Sequence, residues 1–504
     1  MRKKLFTTLL MTMFACISLT GCSPKGQEEL DAGKAALYGT EETETDLETA
    51  YNDFTASLEK GNEEANFYLG LLADWYSYPE KDYEKAMQYY EANVENPYAK
   101  ISMAFLYFNG QGVTEDKEKA KALFQETVDA GCVEGYLGQA TIASEEEDYA
   151  TALEDYNKVL EGTEQTYCAS AMNSIGNLYY DGNGVEQDYA KAMDWYTKAA
   201  DSGNASAMKN IGKLYEDGYG VEQDYAKAME WYQKAADLGY ATAINNIGWL
   251  YENGYGVEQD YAKAMEWYEK AADLGYATAI SNIGWLYQNS YGVEQDYAKA
   301  MEWYEKAVDL GNATAMSNIG WLYENGYGVE QDYAKAMEWY EKAADLGDTN
   351  AMNNIGMLYY NGYGVTQDYE KALEWLEKSV VSGNSVTMYN IGMLYYNGGY
   401  GVAQDYAKAM EWFEKAADLG YAAAMYGIGW LYENGNGVEQ DYAKAMAWYE
   451  RAADLGYAAA MMNIGYLYEN EFDFTKALEW FEKAADLGME NAQEEADWLR
   501  NLIQ

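Results

Sequence analysis

The sequence predicts an all-α chain built as a solenoid of about 12 helix-turn-helix units. Three observations lead there. The segment "ENGYGVEQDYAKAMEWYEKAADLG" occupies Glu252 to Gly275 and returns unchanged from Glu324 to Gly347. The motif Asp-Tyr-x-Lys-Ala recurs at Asp188, Asp224, Asp260, Asp296, Asp332 and Asp368, each step being 36 residues. Within a unit the apolar residues fall into two stripes at helical spacing, separated by a Gly-rich turn. One unit cannot bury its own apolar faces, so the units must stack on one another.

Residues 1–21 read as a signal peptide. Arg2, Lys3 and Lys4 precede the apolar run from Leu5 to Leu19, which is short for a spanning helix. "LTGC", Leu19 to Cys22, resembles the lipobox of bacterial lipoproteins, which implies a diacylglyceryl group on Cys22 and attachment to a membrane. Residues 22–45 are polar and read as a tether, with a helical tendency in "LDAGKAAL".

Residues 46–165 carry divergent units. Asp82, Asp116 and Asp148 mark weaker copies of the motif, and Asp46 to Gly61 looks like one further second half-unit. Residues 166–488 are the near-identical units. In one of them, a first helix from about Ala241 to Asn253 places Ala243, Ile247, Leu250 and Tyr251 on one apolar stripe. Gly254 stops it and Gly256 supplies a turn of positive φ. Asp260 is the N-cap of a second helix, whose buried stripe is Ala264, Trp267, Tyr268 and Ala271. Glu266 and Lys270 are spaced as an i, i+4 ion pair. Gly275 closes the unit. Ala264, Ala271 and Gly248 allow close helix approach, and the large rings fill the gaps. The series continues at Asp405, Asp441 and Asp473; the last step is 32 residues because "ENEFDF" lacks the Gly-x-Gly-Val loop. Residues 489–504 suit a capping helix.

The composition narrows the function. With 84 acidic and 34 basic residues the net charge is −50, and loss of the signal's three basic residues takes it to −53. Such a field repels phosphate, so no nucleic acid is expected, and it favours cationic partners. Histidine is absent, which removes Ser-His-Asp, Cys-His and His-zinc chemistry together. "DGNGVEQD", Asp181 to Asp188, fails the EF-hand pattern at Val185 and Ala192. No catalytic residue, metal site or cofactor is indicated. Cys132 and Cys168 remain in the mature chain, two residues out of phase in adjacent units, without an indicated disulfide.

Ala243-x-x-x-Ile247-Gly248-x-Leu250-Tyr251, Gly254-x-Gly256-Val257 and Asp260-Tyr261-x-Lys263-Ala264-x-x-Trp267-Tyr268-x-Lys270-Ala271-Ala272-x-x-Gly275 together resemble the Sel-one-like repeat, a 36-residue relative of the tetratricopeptide repeat. The resemblance is close from about Cys168 to Gly488 and looser from Asp46 to Gly162. It implies a right-handed α/α superhelix that presents surfaces to other proteins. Cysteine-rich bacterial relatives acting on β-lactams carry a Cys pair in each unit; this chain has none.

The first helix has a second face, where Thr242, Asn245, Trp249 and Glu252 lie together, and the resemblance implies that it lines a concave groove. The position after Ile-Gly holds Trp249, Trp285, Trp321, Met357, Met393, Trp430 and Tyr466, with Asn177 and Lys213 interrupting the series. These residues, with Asn245 and Glu252, are the candidate ligand-binding set. The alternative is packing of each Trp against the next unit. Asn210, Asn246, Asn282, Asn318, Asn354, Asn390 and Asn463 precede Ile-Gly and read as helix-to-helix hydrogen bonding. The expected function is a monomeric, non-enzymatic interaction scaffold of the cell envelope, held to the membrane through Cys22 and binding other exported proteins. The alternatives are a wall-glycan-binding rod and a wall- or β-lactam-acting hydrolase.

Overall fold

A 36-residue apolar pattern becomes a pair of packed helices only if the backbone stops and restarts at fixed points. The structure, a computed structural model, describes residues 25–38, 46–74, 79, 82–162 and 165–503. Cys22 and the signal segment lie outside the described residues. In the unit taken as template the first helix is Ala241–Asn253 and the second Tyr261–Ala272. Gly254 closes the first at φ 71°, its N–H donating to the Leu250 carbonyl. The loop is tied back by the Asp260 N–H on the Tyr251 carbonyl at 2.9 Å and by Gln259 Nε2 on the Glu252 carbonyl at 2.9 Å. The Asp260 carboxylate then accepts the Lys263 N–H at 3.0 Å, an N-cap. Asp188, Asp224, Asp296, Asp332, Asp368, Asp405, Asp441 and Asp473 do the same.

The described residues hold 27 α-helices, thirteen pairs and a terminal helix, and no strand longer than an isolated bridge. The chain divides into two compact units between Ala279 and Ile280. Each is an α/α solenoid in which consecutive helix pairs share a core. In the first, Ala228, Tyr232 and Ala235 of one second helix pack with Ala243, Ile247 and Leu250 of the next first helix. In the second, a cluster runs from Ala409 to Leu499.

In most of the near-identical pairs an aromatic ring lies on a glycine. Tyr268 is fully buried, and a Cβ built on Gly248 would stand 2.7 Å from its Cε1. Gly212 and Tyr232, Gly284 and Tyr304, Gly320 and Tyr340, and Gly429 and Tyr449 repeat the contact.

Four readings are corrected or sharpened. Residues 22–45 are not wholly a tether: Gln27–Tyr38 is a helix with Leu30 and Leu37 buried, and its Gly33 faces Phe54 as Gly248 faces Tyr268. The array therefore begins one half-unit earlier than Asp46. Trp267 is half-buried, because Tyr268 takes the inner position. Lys270 lies over the Trp267 ring, 4.1 Å from its centroid, and its spaced partner Glu266 is not among the ion pairs of the described residues. The ammonium gains a ring face there that the exposed Glu266 does not match. In the last helix, Glu490–Ile503, Leu499 is buried while Trp498 is half exposed. Cys132 and Cys168 are free thiols.

The ring-on-glycine contact makes a prediction. Gly248→Ala should destabilise the chain by about 1–3 kcal/mol through overpacking. Gly275→Ala, where nothing lies within 4 Å and only φ +75° opposes a side chain, should cost about 1 kcal/mol. Urea unfolding of the two variants tests the difference; equal losses would refute the role given to Tyr268.

Candidate functional site

The second face of the first helices was expected to hold Trp249, Asn245 and Glu252, and the structure separates their roles. Asn245 is 8% exposed and has partners within the fold, so it presents nothing to a ligand. Glu252 is half-buried and accepts the Tyr268 hydroxyl at 2.6 Å. Burial raises its carboxyl above the usual range, against that hydrogen bond. The contact recurs as Tyr232 on Glu216 at 2.7 Å and Tyr340 on Glu324 at 2.6 Å. In one unit a neutral amide takes over, Tyr304 donating to Gln288 at 2.9 Å. Glu252 therefore belongs to the joint between its own two helices.

Trp249 stays partly exposed, as do Trp285, Trp321, Met357, Met393 and Trp430, while Tyr466 is 37% exposed. Tyr466 donates its hydroxyl to Glu495 of the last helix at 3.2 Å, whereas Trp249, Trp285 and Trp321 meet loop tyrosines. Trp249 lies 5.2 Å from the Tyr255 ring in its own loop, and Tyr255 stacks on Tyr225 of the preceding second helix at 4.8 Å and 15°. Trp321, Tyr327 and Tyr297 repeat the arrangement at 5.1 and 4.9 Å, and Trp285 meets Tyr291 at 5.0 Å. Trp430, whose loop carries Asn436 in place of tyrosine, meets Tyr396 edge-on at 5.3 Å. Each Trp is thus held by a ring contact and left partly exposed, and Trp249 also packs against the core around Ile247.

Sequence reasoning missed the loop tyrosines. Tyr255, Tyr327 and Tyr363 are 38–47% exposed and widen the indole row into an aromatic strip within each unit. Their signal was present in the repeated Gly-Tyr-Gly, which was read only for its backbone. The asparagine before Ile-Gly does bond between helices: Asn210 Nδ2 donates to Asn173 and Asn177 Oδ1 at 3.0 and 3.2 Å, and Asn390 to Asn353 at 3.1 Å. Cysteine and carboxylate groups form no cluster of three or more suited to a metal ion among the described residues. No helix among them is long and apolar enough to cross a membrane. This face carries one partly exposed Trp, Met or Tyr per unit from Trp249 to Tyr466.

A family model described as the Sel1 repeat matches eleven stretches, 63–92, 97–132, 169–204, 205–240, 241–276, 277–312, 313–348, 349–380, 385–421, 422–457 and 458–489. Among solved structures, the chain is similar to a protective antigen of uropathogenic Escherichia coli strains that displays an SLR fold. The identity is 26%, over 98% of this chain and 93% of that one, with a TM-score of 0.46. It is also similar to a Sel1 repeat protein from Oxalobacter formigenes, at 33% identity over 49% of this chain and 99% of that one, TM-score 0.44.

The buried carboxylates give a pH-dependent expectation. A group whose folded pKa is raised favours folding fully only below its unfolded value, and that contribution is lost as pH rises through the folded pKa. At neutral pH the charges of Glu252 and Glu324 therefore oppose folding. Glu252→Gln and Glu324→Gln, which copy Gln288, should each raise Tm by about 1–2 °C at pH 7.5. The gain should vanish near pH 4, below the ordinary glutamate value. Thermal melts at both pH values check this; a Tm lowered at pH 7.5 would refute it.

Proposed function

The chain belongs to the Sel1 repeat family, whose members are protein-interaction scaffolds, and from that premise we propose that it is a non-enzymatic scaffold lipid-anchored at the bacterial cell envelope. The observation that carries the binding part is the aromatic strip. Trp and Tyr offer large rigid contact areas at low entropic cost, and partly exposed rings held by their neighbours are already ordered for a partner. The anchor and location rest on the sequence of residues 1–22, where a basic start, an apolar run and "LTGC" come in order. The partner is another exported protein, approached under a strongly negative field that favours cationic surfaces.

Two experiments test this reading. Affinity capture from an envelope extract, washed at low and then high salt, should retain a protein partner that resists salt. That partner should be lost when Trp249, Trp285 and Trp321 are changed together to Ala with the fold intact by circular dichroism. Partners released by salt alone would locate binding on the acidic surface instead, and retention of wall glycan without protein would replace the scaffold by a glycan-binding rod. For the anchor, Cys22→Ser should move the chain from the membrane fraction to the soluble one. A variant that stays with the membrane would refute attachment through Cys22.

A further inference from the structure

Tyrosine pairs stacked face to face join consecutive units. Tyr189 meets Tyr219 at 4.8 Å and 19°, and Tyr225 meets Tyr255 at 4.8 Å and 15°. Tyr297 meets Tyr327 at 4.9 Å and 9°, and Tyr333 meets Tyr363 at 5.0 Å and 26°. In each pair the inner ring belongs to the first residue of a second helix. Three of these rings are also pinned at the hydroxyl. Gln223 Nε2 donates to the Tyr225 oxygen at 3.0 Å, Gln295 to Tyr297 at 2.9 Å and Gln331 to Tyr333 at 3.0 Å. The oxygen accepts there, and the hydroxyl keeps its own proton to give away. The outer ring sits in the next unit's loop and is 38–47% exposed. Stacking alone does not need two phenols.

One position supplies a contrast. Tyr442 also opens a second helix, and Gln440 donates to its hydroxyl at 3.0 Å. The place of the loop tyrosine is taken there by Phe472. Tyr442 is 55% exposed and makes no ring contact among the described residues. Exposure and ring pairing are therefore separable within one chain.

We propose that the stacked pairs are sites of oxidative cross-linking, in which dityrosine bonds brace each unit to the next. The oxidant is hydrogen peroxide acting through a haem peroxidase, which takes one electron from each phenol while the hydroxyl proton leaves to water. The two phenoxyl radicals join through the ring carbons next to the oxygen-bearing carbons, forming one C–C bond. The hydrogen on each joined carbon then moves as a proton to its own ring's oxygen, which restores both aromatic rings. In sum two electrons and two protons leave the pair, and they reduce one hydrogen peroxide to two waters. The stack supplies the step that is slow between separate molecules, the meeting of two rings. The outer ring lies on a loop and can turn to its partner without moving a helix. The two described cysteines are free thiols, so no disulfide braces the described residues. A bond between residues thirty apart would limit the unfolded chain as a disulfide does. This proposal is independent of the scaffold reading, which the capture experiment with the tryptophan variants decides separately.

The test treats the full chain, in dilute solution, with a haem peroxidase and hydrogen peroxide. Digestion and mass spectrometry should find Tyr225 joined to Tyr255 and Tyr297 joined to Tyr327, each linked pair lighter by two hydrogen atoms than its separate peptides. Tyr225→Phe keeps a ring in the stack and should lose the first link while keeping the second. The oxidised chain should unfold at higher urea than the untreated one. That shift should be lost when Tyr189, Tyr225, Tyr297 and Tyr333 are all changed to Phe. Paired tyrosines that stay unlinked, links formed only between chains, or Tyr442 linking as readily as Tyr225 would overturn the proposal. Links that form and leave the urea midpoint unchanged would overturn the bracing.

Discussion

The contact between a buried ring and a glycine is the constraint on which the rest of this structure depends. Tyr268 lies flat where Gly248 leaves no side chain, and the two helices of the unit approach until ring carbon meets backbone. That distance sets where Ala264 and Ala271 can bury completely and where the next unit's Ile and Leu can enter. Burying such a ring contributes about 2–3 kcal/mol, and its hydroxyl must still find a partner. The acidic or amide residue sixteen positions earlier supplies it. In two units ring and partner change together: where Leu376 or Phe413 replaces the tyrosine, the first helix carries Tyr360 or Tyr396 in place of the acid. Elsewhere they do not, since Phe481 is matched with Glu469 and the Tyr196 hydroxyl turns to Asn177.

The second constraint is electrostatic. Basic residues are few and mostly used within their own units. One lysine per unit serves the N-cap aspartate and a tyrosine face, and another covers a tryptophan. Exposed pairs of this kind contribute little stability each. Their larger effect is to remove cations from the reach of a partner, so most of the surface field comes from unneutralised glutamates.

The helices of the template unit, its N-cap aspartate and its turn glycines were legible in the sequence because each rests on local rules. Ala241–Asn253 falls where the apolar period, Gly254 and Asp260 put it. Gln27–Tyr38 was not recognised as an array helix because a single divergent helix carries no second copy to confirm its register. The candidate face was half legible. The exposed series at Trp249 follows from helical spacing, but Asn245 and Glu252 share that spacing and turn inward. Their partners lie in other helices, and no periodicity within one helix encodes them. The aromatic joint from Trp249 through Tyr255 to Tyr225 spans two units and a loop, so it appears only once the chain is folded.

That joint has a bearing on the length of the chain. Tyr189 stacks on Tyr219, Tyr225 on Tyr255, Tyr297 on Tyr327 and Tyr333 on Tyr363, always thirty residues apart and always from one unit's second helix to the next unit's loop. A coupling with identical halves does not record which copy it joins. Excising 36 residues from the near-identical region would bring the same tyrosines face to face, and duplicating 36 would do so again. Copy number is then a nearly free variable of this architecture. It changes the count of indoles and loop tyrosines offered to a partner while leaving every interface chemically as it was. The number of aromatic side chains on offer can be adjusted in whole units without any single residue having to be invented.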